Sequence, residues 1–157
     1  MPIWFRKLSK ILINGSLLVV DYAMESKRYY NAMRKDGTLI SYRNQIANPN
    51  VLMDAGLCDL TAHICIESTI NYALSNGWKF MGETRQGHAL LALGLSNFLY
   101  SLRNNSNNDL SAVLNRRESL LRLVDPMGLG DFRWLAFQKD NSDDLILGNR
   151  FLEEPIS

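Results

Sequence analysis

The sequence has no hydrophobic run long enough to cross a membrane as a helix. Its longest apolar stretches, Ala89–Leu95 and Gly15–Val20, fall far short of the roughly 20 residues that a helical span needs. The basic start before Ile11–Val20 resembles a signal peptide, but Lys10 and Asn14 interrupt the apolar stretch and no small-residue cleavage site follows cleanly. We therefore expect a cytoplasmic protein with no membrane partner.

The sequence also lacks an excess of charge of one sign. It carries 17 Lys and Arg against 16 Asp and Glu, a formal net charge of +1. Its basic residues are scattered, and the two small clusters, Arg6–Lys10 and Arg116–Arg122, are typical of solvated helix faces. Because nucleic-acid binders usually present a strongly basic face, we expect no nucleic-acid partner.

Cysteine and histidine are scarce. Cys58 and Cys65 match no metal-ligand or redox spacing, and His63 and His88 are the only histidines. We therefore expect no metal site, and we interpret the cysteines as reduced, partly buried thiols.

What remains is a composition typical of a folded domain. The 157 residues are 46% hydrophobic and 21% charged, which excludes disorder as a description of the whole chain. The absence of a short sequence period excludes collagen-like and coiled-coil chains. Composition and patterning predict one domain over residues 1–140, followed by a polar tail over residues 141–157.

Helical spacing of apolar residues and capping residues predict the helices. They are Trp4–Ile13, Thr69–Leu74 with Ser68 as its N-cap, one buried helix over Gln86–Leu102, and Leu110–Leu123 with Asp109 as its cap. An Asn/Ser linker over Arg103–Asp109 separates the last two. Residues Ala23–Asp36 are either a short helix or an ordered loop.

The strand from Ser16 to Tyr22 is the most informative element. It is continuously apolar over Leu17–Val20, as in a strand covered on both faces of a parallel sheet. The other predicted strands are Thr38–Tyr42, Trp78–Arg85 and Phe132–Phe137, while Asn44–Gly56 is predicted as a long surface excursion and Asp59–Ile66 cannot be assigned.

Strands separated by helices predict an α/β fold with parallel pairing and right-handed crossovers. These few strands can scarcely surround one as apolar as Leu17–Val20. We therefore expect this strand to lack a neighbour on one side, as at one end of a larger doubly wound sheet.

A series of short motifs carries a resemblance to a known family. In order they are Asp21-Tyr22, Gly37-Thr38-Leu39 with Tyr42, Ala55-Gly56, Asp59-Leu60-Thr61-Ala62-His63, Thr84-Arg85-Gln86, and Pro126-Met127-Gly128 with Phe132 and Leu135. The series resembles the carboxyl-terminal half of the MidA family of class I S-adenosylmethionine-dependent methyltransferases. This family includes the mitochondrial complex I assembly factor that methylates a protein arginine.

The resemblance implies a Rossmann-like fold, with Ser16–Tyr22, Trp78–Arg85 and Phe132–Phe137 as the fifth, sixth and antiparallel seventh strands. It spans roughly residues 4–139. The sequence departs from the family at Gln45, where the family tends to have His, and at Cys65-Ile66, which replaces an Asp-Phe pair. Ala23 stands in place of Gly, and Ala55 in place of Pro.

The resemblance implies S-adenosylmethionine as the cofactor. Class I methyltransferases hold it with a Gly-rich turn after the first strand and an acid at the end of the second. Gly128 and Gly130 are the only closely spaced glycine pair, and they precede a strand instead of a helix. We therefore expect the cofactor-binding half to be missing from this sequence, and no cofactor-binding residue is assigned.

Three residues are predicted to be catalytic. Asp21 ends a strand, where ligands bind in open α/β sheets, although it is equally open to a capping or surface role. Asp59 and His63 share a face whether the segment is a helix or a strand, so the acid could orient the imidazole. The alternative is that Asp59 caps Thr61 and His63 is structural.

Substrate binding is assigned to Tyr22, Tyr42 and Gln86. The two tyrosines could form an aromatic wall for a cation, although half-buried packing is their commoner role. Gln86 is included through the Thr84-Arg85-Gln86 motif of the resemblance.

Two functions follow from these observations. The first is an enzyme: part of a methyltransferase that modifies a protein, with arginine as the acceptor the family suggests. Its partners would be a protein substrate and a missing amino-terminal half. The second is a non-catalytic remnant that binds proteins or itself through an open sheet edge.

Overall fold

The computed structural model describes residues 1–104, 110–139 and 150–155. The helices are α1 (Pro2–Ile11), α2 (Ser26–Tyr29), α3 (Ile66–Leu74), α4 (Gln86–Ala92), α5 (Leu95–Asn104) and α6 (Leu110–Val124). The strands are β1 (Gly15–Asp21), β2 (Ala23–Met24), β3 (Ile40–Arg43), β4 (Ile46–Asn48), β5 (Asp59–Thr61), β6 (Ile64–Cys65), β7 (Lys79–Arg85) and β8 (Arg133–Lys139). Short 3-10 helices cover Leu129–Asp131 and Arg150–Leu152. The α/β class is confirmed.

The main sheet has the strand order β1-β8-β7. β8 is antiparallel to both neighbours, with Leu18 opposite Ala136 on one side and Gly82 opposite Ala136 on the other. The expectation of parallel pairing between successive strands is therefore wrong for this sheet. β1 and β7 do run in the same direction, but β8 is inserted between them, because the last strand returns antiparallel into the gap.

β1 is covered on both faces, as its continuous apolar sequence predicted. Leu17 and Val19 pack into one hydrophobic cluster, and Leu18 packs into another on the opposite face. The first cluster is centred on Phe5, Ile66, Ala73, Trp78, Leu135 and Phe137, and the second on Ala89, Ala136 and Phe151. Along its edge away from β8, β1 pairs with no strand of the described residues.

Two smaller sheets follow β1. β2 and β6 form a short parallel pair, with Ala23 opposite Ile64 and Met24 opposite Cys65. β3 is the central strand of an antiparallel sheet with the order β4-β3-β5. Residues Asn44–Gly56 were predicted as an irregular excursion, but they begin with the turn and strand of the β3–β4 hairpin.

Two helix predictions need correction. The α3 helix begins at Ile66 and its N-cap is Cys65, not Ser68, because the chain passes directly from β6 into the helix. The buried hydroxyl of Thr69 donates to the carbonyl of Cys65 at 2.8 Å. The predicted single helix over Gln86–Leu102 is two helices, because Gly94 takes a φ of +95° between them.

Some predicted features lie outside the described ranges. They are the Asp109 cap, most of the Arg103–Asp109 linker and residues 141–149 of the predicted tail. Within that tail, Phe151 is buried against the second hydrophobic cluster. Cys58 and Cys65 form no disulfide, and Cys65 is buried. Over the described ranges, no helix is both long and apolar enough to traverse a lipid bilayer.

Candidate functional site

A cavity of about 540 Å³ lies next to the residue that follows β1. Its lining residues come from the segments between β1 and α3. They are Tyr22, Tyr42, Asn44, Gln45, Asp59, Thr61 and His63. Four residues predicted from sequence as site residues (Tyr22, Tyr42, Asp59 and His63) therefore lie around one cavity.

The short parallel pair β2–β6 places Tyr22 beside His63. The Tyr22 carbonyl accepts a hydrogen bond from the Ile64 amide at 2.8 Å, which fixes the backbone next to both side chains. The Tyr22 ring centroid lies 5.7 Å from that of His63 and 4.2 Å from that of Phe132. The phenol ring is thus held between the cavity and the start of β8.

The antiparallel β3–β5 pair supplies the opposite wall. Tyr42 and Asp59 are direct partners in the register, so their side chains project from the same face. Thr61 is two residues further along β5 and therefore shares that face. The even spacing from Asp59 to His63 does bring both residues to one site, although β5 itself ends at Thr61.

Asn44 and Gln45 form the two-residue turn between β3 and β4 and complete the cavity lining. Sequence analysis did not predict Asn44, Gln45 or Thr61 as site residues. An Asn at the start of a two-residue turn between Arg43 and Ile46 was the available signal for the hairpin. Gln45 was noted only as a departure from the family's usual His.

His63 is held by its backbone and has a partly buried imidazole. Its amide donates to the Thr38 hydroxyl at 3.1 Å, and that hydroxyl contacts the His63 carbonyl at 3.3 Å. Nδ1 is buried and has no hydrogen-bond partner among the described residues. Burial and the charge of Arg34 lower the pKa of His63 below 6.5, and the carboxylate of Asp21 partly opposes them. The imidazole is therefore neutral at pH 7 and can accept a proton.

Asp21 does not line the cavity. Its Oδ1 accepts a hydrogen bond from the Tyr22 amide at 2.7 Å, so the carboxylate fixes the chain where it leaves β1. Its negative charge raises the pKa of His63, which places it close enough to influence the site through electrostatics.

The structure places Gln86 outside the cavity lining. Its amide group donates to the carbonyls of Leu123 at 3.1 Å and Leu129 at 2.9 Å. Its Oε1 faces the indole nitrogen of Trp134 at 3.4 Å. Gln86 thereby ties the start of α4 to the end of α6 and to Leu129, and its substrate-binding role stays a prediction.

The cavity offers hydrogen-bond acceptors and one negative charge. Among the described residues that line it, Asp59 is the one acidic residue and none is Lys or Arg. The other lining residues include Asn44, Gln45 and Thr61, whose side chains can accept hydrogen bonds, and two tyrosines. Such a lining favours a cationic ligand, because carboxylates and aromatic faces both attract positive charge.

Both the sequence and the fold are similar to those of known proteins. Residues 2–84 match the model of the family described as "Putative S-adenosyl-L-methionine-dependent methyltransferase". The chain belongs to this methyltransferase family. The cofactor of the family is S-adenosylmethionine. No curated protein sequence matches the chain significantly.

Two solved structures, both from Burkholderia thailandensis, share the fold. One is described as a "likely methyl transferase" bound to S-adenosyl-homocysteine, and the other is a native crystal structure from the same superfamily. Each has a TM-score of 0.78 at 24% identity over 99% of this chain. The present chain spans only 39% and 40% of the length of these two proteins.

The described residues do not fit a complete S-adenosylmethionine site. The first helix after β1 is the four-residue α2. No glycine lies in α2 or between β1 and α2. The helix α4 that follows β7 does contain Gly87, but a Cβ there would lie 3.0 Å from the Val124 carbonyl oxygen. Gly87 therefore allows close packing against the end of α6 and leaves no cradle for a cofactor.

Proposed function

We propose that this chain forms the methyl-acceptor side of an S-adenosylmethionine-dependent methyltransferase of the MidA type, acting on arginine in a protein. The observation that carries the proposal is the cavity lined by Asp59, two tyrosines and neutral acceptors, without any cation. An arginine side chain is planar, positively charged and rich in N–H donors, so it complements this lining.

The strand order supports the assignment to the carboxyl-terminal half of the fold. In the MidA resemblance, the seventh strand is antiparallel, and here β8 lies antiparallel between β1 and β7. We assign β1, β7 and β8 as the fifth, sixth and seventh strands of a Rossmann-like sheet. The open edge of β1 then receives the fourth strand from the amino-terminal half, which also supplies the cofactor-binding groups.

Each cavity residue has a role in this proposal. Asp59 binds the guanidinium, and the faces of Tyr22 and Tyr42 hold its plane. His63, whose lowered pKa favours the neutral imidazole, would accept the proton that the guanidinium nitrogen loses when a methyl group moves to it from the cofactor sulfonium, which would leave as a thioether. Asp21 does not line the cavity, but its negative charge opposes the effect of Arg34 on the pKa of His63. Holding the acceptor in one orientation is the main contribution that the chain makes to the rate.

A titration with acetyl-arginine amide tests the acceptor site. We expect the probe to shift the NMR signals of His63 and Tyr22 in the wild-type chain. Asp59→Asn keeps the shape but removes the charge, and it should weaken binding roughly tenfold. Glu118→Gln is the matched control, because Glu118 pairs with Arg122 at 2.7 Å on α6 and does not line the cavity. Failure of the wild-type chain to bind the probe contradicts the proposal.

A second titration tests the missing half. The chain alone should show no measurable heat of binding with S-adenosylmethionine in isothermal titration calorimetry. Micromolar affinity would show that the cofactor site is complete without another segment. A polypeptide that carries the Gly-rich strand, turn and helix should restore cofactor binding when it is co-expressed with this chain.

The alternative function is a protein-interaction module without catalysis. The unpaired edge of β1 and the exposed apolar residues of α1 favour it, since Ile3 and Ile11 are 66% and 79% exposed. Light scattering separates the two ideas. A stable monomer that binds the arginine probe supports the methyltransferase, and self-association without probe binding supports the interaction module.

A further inference from the structure

The turn between β3 and β4 contains two consecutive residues in the left-handed region. Asn44 has a φ of 50° and Gln45 a φ of 64°, with Arg43 paired to Ile46 on either side. Two-residue hairpin turns of this kind favour Asn followed by Gly, because a Cβ at the second position is strained. Asn44 suits the first position, but Gln45 occupies the position where Gly is preferred.

No contact within the described structure accounts for this choice. The other left-handed non-glycine residue, Asp54, forms an ion pair with Arg43. The Gln45 side chain makes no hydrogen bond to any described residue, and it lines the cavity beside Asp59. A strained backbone that presents an unpaired polar side chain to a cavity indicates a residue kept for its ligand.

We infer that Gln45 selects a planar guanidinium over an ammonium group. This inference rests on the proposed function, because it requires a cation in the cavity. A guanidinium spreads its donors over a plane, whereas an ammonium is a compact point charge that one carboxylate can satisfy. The Gln45 side-chain amide adds a second hydrogen-bond acceptor to the cavity that Asp59 also lines. Gln45 would therefore accept a hydrogen bond from a guanidinium nitrogen that Asp59 does not bind.

The test compares Gln45→Gly with the wild type using two probes, acetyl-arginine amide and its lysine analogue. The variant should unfold at a temperature higher by roughly 2–4 °C, because Gly relieves the backbone strain. Affinity for the arginine probe should fall roughly tenfold, and affinity for the lysine probe should change by less than about twofold. A gain in stability with a loss of arginine binding cannot be explained by unfolding.

Two further variants complete the experiment. Gln45→Asn tolerates the left-handed backbone but carries a shorter amide, so it should lose arginine affinity with a smaller gain in stability than Gln45→Gly. Glu118→Gln removes a carboxylate from an exposed ion pair on α6, outside the cavity lining, and should leave both affinities unchanged.

The outcomes separate the inference from the proposed function. Wild-type protein that binds neither probe overturns the proposed function. Wild-type protein that binds both probes, with Gln45→Gly binding them equally well, overturns the inference alone. An equal loss for both probes also overturns it, because Gln45 would then read charge and not shape.

Discussion

A single guanidinium joins the carboxyl end of the main sheet to the segment that carries Tyr22. Arg133, the first residue of β8, is only 12% exposed. Its NH1 contacts Glu25 at 3.1 Å and its NH2 contacts Glu83 at 2.5 Å. Nε is buried and has no partner among the described residues. Within the described structure, the carboxylates of Glu25 and Glu83 are therefore the groups that neutralise this largely buried guanidinium.

The magnitude follows from the exposure of each partner. Glu83 is 31% exposed, so replacing it with Gln should cost about 1–2 kcal/mol, towards the lower end for a charged hydrogen bond. Glu25 is 48% exposed and solvent screens its pair, so Glu25→Gln should cost about 0.5–1 kcal/mol. The double variant should cost more than the sum, about 3–4 kcal/mol, because Arg133 is then buried without a counter-charge.

Urea unfolding at pH 7 measures these differences. Glu118→Gln is the matched control, because Glu118 and Arg122 form an exposed pair on one helix, at 63% and 71% exposure, whose loss should cost less than about 0.5 kcal/mol. If Glu83→Gln costs no more than this control, or if the two losses simply add, the shared buried guanidinium is not a stabilising centre.

The same ion pair has a pH dependence that the Glu25→Gln variant should reduce. The hydrogen bond from its own backbone amide and the charge of Arg133 lower the pKa of Glu25 below 4.5. The folded state therefore binds this proton less readily than the unfolded state. The associated stability is present above about pH 4.5 and is lost as the pH falls through the folded-state pKa.

Two further predictions concern the imidazole and a buried glycine. NMR titration of His63 should give a pKa below 6.5, and Asp21→Asn should lower it further by removing the opposing charge; a higher pKa in the variant would contradict the assigned electrostatics. Gly130→Ala would place a Cβ 2.5 Å from the backbone carbonyl of Val124 and should cost about 1–3 kcal/mol in urea unfolding. At Gly128 the nearest atom to an added Cβ is 3.5 Å away, so Gly128→Ala should cost less than about 1 kcal/mol and serves as its control.

The long apolar elements were predictable because burial dominates their sequence. Leu17–Val20 has no polar residue on either side of the strand, so only a position covered on both faces satisfies it. The Trp78–Arg85 prediction matches β7 to within one residue, although β7 is not continuously apolar. The antiparallel position of β8 could not be derived from element order, because order fixes neither the direction nor the neighbours of a last strand.

The small elements around the cavity were not predictable from patterns. β4, β5 and β6 have two or three residues each, too few to display an alternation of apolar and polar positions. Pairing with distant segments determines them instead, as when Ile64 reaches back to Ala23. The motif that contains Gln86 specifies a residue but not whether its amide binds substrate or backbone carbonyls, so the substrate-binding role stays a prediction.

The charges around the cavity favour binding of a cation and also favour the neutral form of His63. Arg43 is drawn away to Asp54, and Arg133 is bound to Glu25 and Glu83, so neither guanidinium competes with a cationic ligand. Arg34 does not line the cavity, yet its charge helps to keep the imidazole unprotonated. A protonated imidazole would repel a bound guanidinium and could not take its proton. The same field that lowers the pKa of His63 therefore leaves Asp59 as the one charge in the cavity wall, which is the combination that a cationic methyl acceptor needs.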